Sequence, residues 1–312
     1  ASISKLDGDQ TAAKAARQGV NLQDYKLRNG RHRPGLDIWS EGRYEYSNSD
    51  GDRDTTKSKS EFGLLRLGAD YLVSQRLLVG ALLQFDHLHE EGAFGGANDP
   101  GYKISGHGWM AGPYAEFELA RGLYFDAKAL AGRSTNDISP FNTYTDTFET
   151  SRWLVAARLT GSWHWQSKGR STWHLSPRAE VVWFSEESES YTDSKGVLID
   201  GQQVGLGRVK VGPEISYRHV TNRGTRIEPR LSVKGLWSFG DDVNARPVDS
   251  SLDDNVRDDK LDPFQFQFGA GLVIELDSGV RVDLKGTYTG LGGSGDETAG
   301  GKVDITIPLQ KR

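Results

Sequence analysis

Asp86, His87 and His89 are close neighbours in the chain. On a strand the two histidines share a face and Asp86 takes the other, and a His-x-His pair on one face could bind a transition metal. Asp126 and His174, with Asp86, supply carboxylates and an imidazole of the kind that activate water for hydrolysis. Residues 240–262 hold eight Asp, including Asp253-Asp254-Asn255 and Asp258-Asp259. Asp253, Asn255, Arg257 and Asp259 alternate faintly like a Ca²⁺ loop, but the Gly such a loop needs is missing and an Arg takes a ligand place. No Ser with a recognisable nucleophile motif adjoins the histidines. Interfacial histidines, structural ion pairs and a solvated acidic loop account for these residues. The sequence therefore predicts no catalytic residue, no bound metal and no cofactor.

What must be explained is the placement of so many polar side chains. Charged residues make up 26% of the chain, yet the net charge is only −5, which offers no basic field for nucleic acid. There is no Cys, so disulfides and thiolate metal sites are ruled out, as suits a chain that crosses an oxidising periplasm unfolded. Mean hydropathy is −0.57 and no run approaches 18 apolar residues, so no transmembrane helix is predicted. The opening ASISKLDGDQ has no apolar core of a signal peptide, which implies a leader already removed or an excised domain. A closed barrel crosses a bilayer by alternation and keeps average hydropathy low.

Alternation runs from about residue 36 to the end. Twelve segments are expected, near 36–46, 61–73, 77–87, 106–119, 122–133, 151–166, 171–184, 206–219, 225–239, 263–276, 280–289 and 301–309. Long polar connections at 47–60, 88–105, 134–150, 185–205, 240–262 and 290–300 alternate with tight turns at 74–76, 120–121, 167–170, 220–224 and 277–279. That rhythm over an even number of strands is the layout of an outer-membrane barrel, long loops outside and short turns in the periplasm. The first connection is long, so the first strand starts on the periplasmic side.

The faces of single segments support the same reading. In the sixth, Trp153, Val155, Ala157, Leu159, Gly161, Trp163 and Trp165 alternate with Arg152, Leu154, Ala156, Arg158, Thr160, Ser162 and His164. Trp173 and Trp183 in the seventh, and Trp237 in the ninth, lie on the apolar face too. Trp153 and Trp163 are ten residues apart, as are Trp173 and Trp183. Ten residues at about 3.3 Å, tilted about 40°, project to roughly 25 Å, the height between aromatic girdles. Trp153, Trp163, Trp165, Trp173, Trp183 and Trp237 are accordingly expected in the girdle. The opposite face predicts a lumen lined by Arg66, Arg152, Arg158, Arg178, Arg208, Arg218, Arg226, Arg230 and Lys234. Glu41, Asp70, Glu116, Asp126, Glu180, Glu214, Glu228 and Asp283 join them. Pro113, Pro177, Pro213 and Pro229 fall inside strands, where a missing N–H is expected only at ends or bulges.

Before the barrel, Ser4 to Gln18 predicts a helix built on Ala12, Ala13, Ala15 and Ala16, with Lys14, Arg17 and other charges on all sides. It has no apolar stripe and is too short to stand alone, but a slim charged helix suits a polar pore. Residues 1–35 would be the pore helix and linker, and 36–312 the barrel.

The chain at this point resembles the autotransporter β-domain, the translocator of type V secretion, over essentially its whole length. The resemblance rests on the helix plus twelve segments and on local stretches. Leu175-Ser176-Pro177-Arg178-Ala179-Glu180 followed by Glu189 to Gly196 is similar to the family's seventh strand and its loop. Arg208 to Gly212 is similar to the strand after that loop, and Ile227-Glu228-Pro229-Arg230-Leu231 through Leu236-Trp237-Ser238-Phe239 to the family's I-x-P…L…W-x-F strand. The resemblance implies an all-β, 12-stranded antiparallel transmembrane barrel with an N-terminal α-helix threaded through the lumen. It implies a monomer in the Gram-negative outer membrane, partnered by lipid, its own N-terminal passenger, the barrel-assembly machinery and periplasmic chaperones. Family members usually end on an aromatic residue that marks them for assembly; here Leu309 stands in that place, or the branch is divergent. Some members cleave their own linker at an Asn, for which Asn21 and Asn29 match by residue type, although Asn29-Gly30 equally suits a turn. The alternatives are a barrel enzyme, lipase or protease, and a soluble β-sandwich binding module.

Overall fold

A strand whose alternate side chains prefer different solvents satisfies both only where it separates two environments. In the computed structural model, which describes residues 36–49, 57–93, 101–167, 169–240, 264–291 and 296–308, every alternating segment is a strand. The described strands are β1 (Leu36–Ser49), β2 (Lys57–Ser74), β3 (Leu77–Ala93), β4 (Tyr102–Ala120), β5 (Leu123–Ser139), β6 (Asp146–Gly161), β7 (Trp163–Gln166) and β8 (Ser171–Ser188). They continue as β9 (Tyr191–Thr192), β10 (Leu198–Ile199), β11 (Gln203–Val220), β12 (Arg226–Gly240), β13 (Phe264–Glu275), β14 (Arg281–Leu291) and β15 (Asp296–Pro308). β6 and β7 act as one stave, since both pair with β8 in a single register from Thr160↔Arg178 to Trp163↔Leu175. β9 and β10 form a small hairpin inside the connection from β8 to β11.

The remaining strands make twelve antiparallel staves. β1 pairs with β15 through Ile38↔Ile307 and Glu41↔Asp304, and β8 pairs with β11, so the sheet closes on itself. Closure removes the exposed edge that a soluble sandwich would keep, and the sandwich alternative falls with it.

Strands run further than the alternation suggested. Much of the expected connections 88–105 and 134–150 is paired backbone, with β3 reaching Ala93, β4 starting at Tyr102, β5 reaching Ser139 and β6 starting at Asp146. Pairing continues beyond the bilayer, where both faces meet water and alternation ceases to mark the strand. The acidic stretch 241–262 lies outside the described residues, as do residues 1–35 with Ala12, Ala13, Lys14, Ala15, Ala16 and Arg17.

The in-strand prolines interrupt hydrogen bonding without moving the register. Between β4 and β5 the ladder passes from Ala111↔Ala131 to Tyr114↔Lys128 across Pro113, and between β11 and β12 from Val211↔Gly235 to Glu214↔Ser232 across Pro213. Pro177 faces the break between β6 and β7, where Ser162 N–H donates to the Gly122 carbonyl at 2.7 Å instead. The periplasmic turns are tight; Gly279 takes φ 86°, a left-handed conformation suited to glycine, and its N–H donates to Leu276 O at 2.9 Å.

Candidate functional site

The inner wall carries the polar chemistry. Its even or odd positions are fixed by strand parity, so each strand delivers every second side chain inward. Of the residues expected to line the lumen, Arg178, Arg218 and Arg230 are half-buried and the others buried. Arg66 donates to Glu41 Oε1 at 3.0 Å and to Gln84 Oε1 at 2.9 Å, and all three are fully buried. Glu41 also meets Lys302 Nζ at 3.0 Å. Arg152 grips Asp86 through both terminal nitrogens, at 2.9 and 3.1 Å, and Arg158 Nε donates to Asp126 at 2.7 Å. These are bidentate or charge-assisted contacts, the strongest kind available to a buried carboxylate.

At the periplasmic end of β11 to β14 the pairs merge into a network. Glu228 accepts from Arg218 at 2.8 Å, from Arg230 at 3.1 Å and from Arg226, which reaches Glu275 at 3.2 Å. Arg230 and Arg281 share Asp283 at 3.2 and 3.3 Å. Glu214 takes Arg178 at 3.1 Å and Lys285 at 3.3 Å. Arg208 donates to Ser238 at 3.0 Å. Glu180 and Lys234 line a cavity together with Arg43, Lys210, Lys285 and Lys302. Asp70 accepts from Trp39 Nε1 at 3.1 Å, and Glu116 is buried on the same face of β4. The structure thus places these residues on one polar inner face, with Glu228, Glu214, Asp283 and Glu41 as the centres of its ion pairs.

A different surface fills the wall from β2 to β8. Leu72, Leu78, Leu82, Met110, Tyr124, Leu130, Leu154, Val182 and Phe184 form one buried cluster with Trp39, Tyr114 and Leu206. Trp39 donates to the Tyr114 hydroxyl at 2.8 Å, and the Tyr114 ring lies so close over Gly80 that a Cβ there would stand 2.3 Å away. Only glycine admits that approach.

Several of these residues lay within reach of parity but were not singled out from sequence. Lys210, Lys285, Lys302, Asp304 and Arg281 occupy the same alternate positions as their expected neighbours. Asp86 points inward while His87 points outward, as its place in the register requires. Trp39 breaks the rule that tryptophan faces lipid, and its shared parity with Glu41 was the available signal. Lys128 is buried on β5 with no hydrogen-bond partner for Nζ among the described residues.

On the outer face Trp153, Trp163, Trp165, Trp173 and Trp237 are exposed and Trp183 half-buried. Trp173 packs on Tyr217 at 4.9 Å, Trp183 on Phe239 at 5.9 Å and Trp237 on Phe264 at 4.7 Å. His87, His89 and Trp109 share this outward face at the exterior end. There the Lys103 ammonium, 3.1 Å away, holds the exposed Glu91 carboxyl below its usual range. Burial, with the Glu90 carboxylate that accepts its hydroxyl at 2.8 Å, pushes the Tyr102 phenol up.

Known proteins match this architecture. The autotransporter beta-domain family model matches residues 38–287. The transport unit of the autotransporter AIDA-I from Escherichia coli is similar with a TM-score of 0.70 at 13% identity, over 90% of this chain and 92% of that one. The beta domain of the Bordetella autotransporter BrkA is similar at 0.66 and 15% identity, over 88% of this chain and 100% of that one. The translocator domain of the autotransporter NalP from Neisseria meningitidis gives 0.57 and 14% identity, over 98% of this chain and 100% of that one. At such identities the solved structures speak for the fold.

Proposed function

The chain belongs to the autotransporter β-domain family, and on that premise we propose that the charged half of its inner wall is the surface along which an N-terminal passenger segment sits in the barrel. The barrel is an outer-membrane translocator and anchor of a Gram-negative bacterium, with its passenger attached on the N-terminal side. The observation that carries the lumen reading is the network of paired charge around Glu228, Glu214 and Glu41, which keeps the inner wall wettable. An extended or helical segment finds hydrogen-bond partners on such a wall, but no apolar surface to stick to.

Residues 1–35 are the segment proposed to occupy the bore, with Ala12, Ala13, Lys14, Ala15, Ala16 and Arg17 on its helix, and 36–312 the barrel. The protein is proposed to work as a monomer after delivery by periplasmic chaperones and insertion by the barrel-assembly machinery. Catalysis is not part of the proposal. Ser171 Oγ and His219 Nδ1 lie 3.0 Å apart, but Ser171 is buried, and among the described residues no carboxylate hydrogen bond backs His219.

An epitope fused ahead of Ala1 tests the reading in a Gram-negative host. Expected is a heat-modifiable barrel in the outer membrane with the epitope open to external protease. A folded, inserted barrel whose epitope never reaches the exterior would sink it. Deleting residues 1–35 should raise single-channel conductance; an unchanged conductance would remove that segment from the bore.

A further inference from the structure

We propose that His164 and His174 form a two-imidazole site for a borderline transition-metal ion, of the Zn²⁺, Ni²⁺ or Cu²⁺ class, at the periplasmic mouth of the barrel. The ladder between β5 and β6 ends at Leu123↔Gly161, and β7 beyond it pairs with β8 alone. β7 therefore projects past the rim formed by β5 as the edge of a sheet that continues through β8 to β11. Within it His164 and His174 are direct cross-strand partners, so both side chains leave the same face. Trp165 and Trp173, partners on the opposite face, pin this edge to the membrane interface and orient the histidines toward the mouth.

The ring spacing suits two ligands of one ion. The two imidazole centroids stand 5.8 Å apart with their planes at 31°. Imidazoles that each place a nitrogen about 2.0–2.1 Å from one ion hold their centres roughly 5–6 Å apart. His174 is 6% exposed, and its Nε2 is buried with no hydrogen-bond partner among the described residues. A buried ring nitrogen without a partner is unfavourable, and a bound ion would satisfy it. His164 is exposed, which leaves an entry path and open positions for water.

The surroundings select the ion. Arg218 and Arg226 act on His174 with Glu228 as their partial counterweight, so the local field is mildly positive. That field repels ions held by charge and oxygen ligands, such as Mg²⁺ and Ca²⁺. An ion that gains covalency from imidazole nitrogen tolerates it. The competing pair is His87 and His107, which oppose each other on the outer face of β3 and β4.

Titration of the tag-free, detergent-solubilised full chain with Zn²⁺, Ni²⁺, Cu²⁺ and Mg²⁺ by calorimetry tests this. Expected is one site per chain for a transition ion and none for Mg²⁺. His164→Ala and His174→Ala should each weaken it by about tenfold or more, and His107→Ala should leave it unchanged. His164 lies past the rim and exposed, so His164→Ala decides the matter even if His174→Ala does not fold. Absence of stoichiometric binding, binding that survives His164→Ala, or binding abolished by His107→Ala each overturns the site.

Discussion

Between β3 and β8 the inner wall buries Leu82, Met110, Leu154, Val182 and Phe184 against one another, whereas between β11 and β15 it buries Arg226, Glu228, Arg281, Asp283 and Lys302. Both surfaces leave water, but by different physics. Apolar side chains need only proximity, and contact area does the rest. Charged ones must find partners in good geometry, because an unpaired buried charge is costly. The apolar cluster is therefore self-sufficient, although the same strands also bury the pairs Arg152–Asp86 and Arg158–Asp126. The charged surface offers hydrogen-bond partners instead, and a small cavity lined by Lys210, Lys234, Lys285 and Lys302 opens on it. A translocator needs both, a wall that does not move and a wall that does not stick.

That contrast can be broken by substitution. Glu41→Gln removes the partner of two buried cations, Arg66 and Lys302, and should destabilise by about 3–5 kcal/mol. Phe184→Ala, in the apolar half, should cost about as much, about 3–5 kcal/mol, through a cavity rather than a charge. Denaturant midpoints of the refolded barrel check both. Salt should rescue neither, since Arg66 and Glu41 are fully buried, but Glu41→Gln should cost less in an Arg66→Met background whereas Phe184→Ala should not; additive costs in both cases would erase the distinction.

On the lipid face Leu231, 62% exposed, sits where an apolar band is required. Leu231→Arg should cost about 2–4 kcal/mol at mid-bilayer, read as loss of the heat-modifiable band in liposomes. Arg230→Gln should cost only about 1 kcal/mol, because Glu228 keeps Arg218 and Arg226. A larger loss from Arg230→Gln than from Leu231→Arg would reverse the assignment of faces.

The smallest effect belongs to the exterior rim. The Glu91 carboxyl is depressed by Lys103 and then by His89, so whatever it contributes is present above the ordinary carboxylate value and is lost as pH falls through the depressed one. Both partners are exposed, and solvent screens them. Wild type and Glu91→Gln should therefore melt together from pH 7 down to about pH 3. A gap at pH 7 that closes as the pH falls toward about 3 would mean the rim carries more of the fold than its exposure allows.

Much of the wall was legible because parity is local. Once Arg152 and Trp153 alternate, Arg158 and Trp163 follow by counting, and so do Glu228 and Asp283 on their strands. Strand ends were not legible. β3 continues to Ala93 through Glu90 and Glu91, a polar stretch whose pairing depends on β4 and not on its own pattern. The prolines read as a difficulty because a chain does not reveal which neighbour a missing N–H would have faced. Only the paired register shows that Pro113 and Pro213 cost a bond and no slip.

The sequence by itself determined the number of staves and their up-and-down order, since both follow from a period of two and from loop length. The tertiary structure decided who meets whom inside. Arg152 reaches Asp86 across 66 residues, and Tyr114 reaches Trp39 across 75. Partnership across a lumen depends on the shear and closure of the whole sheet, which no single strand encodes.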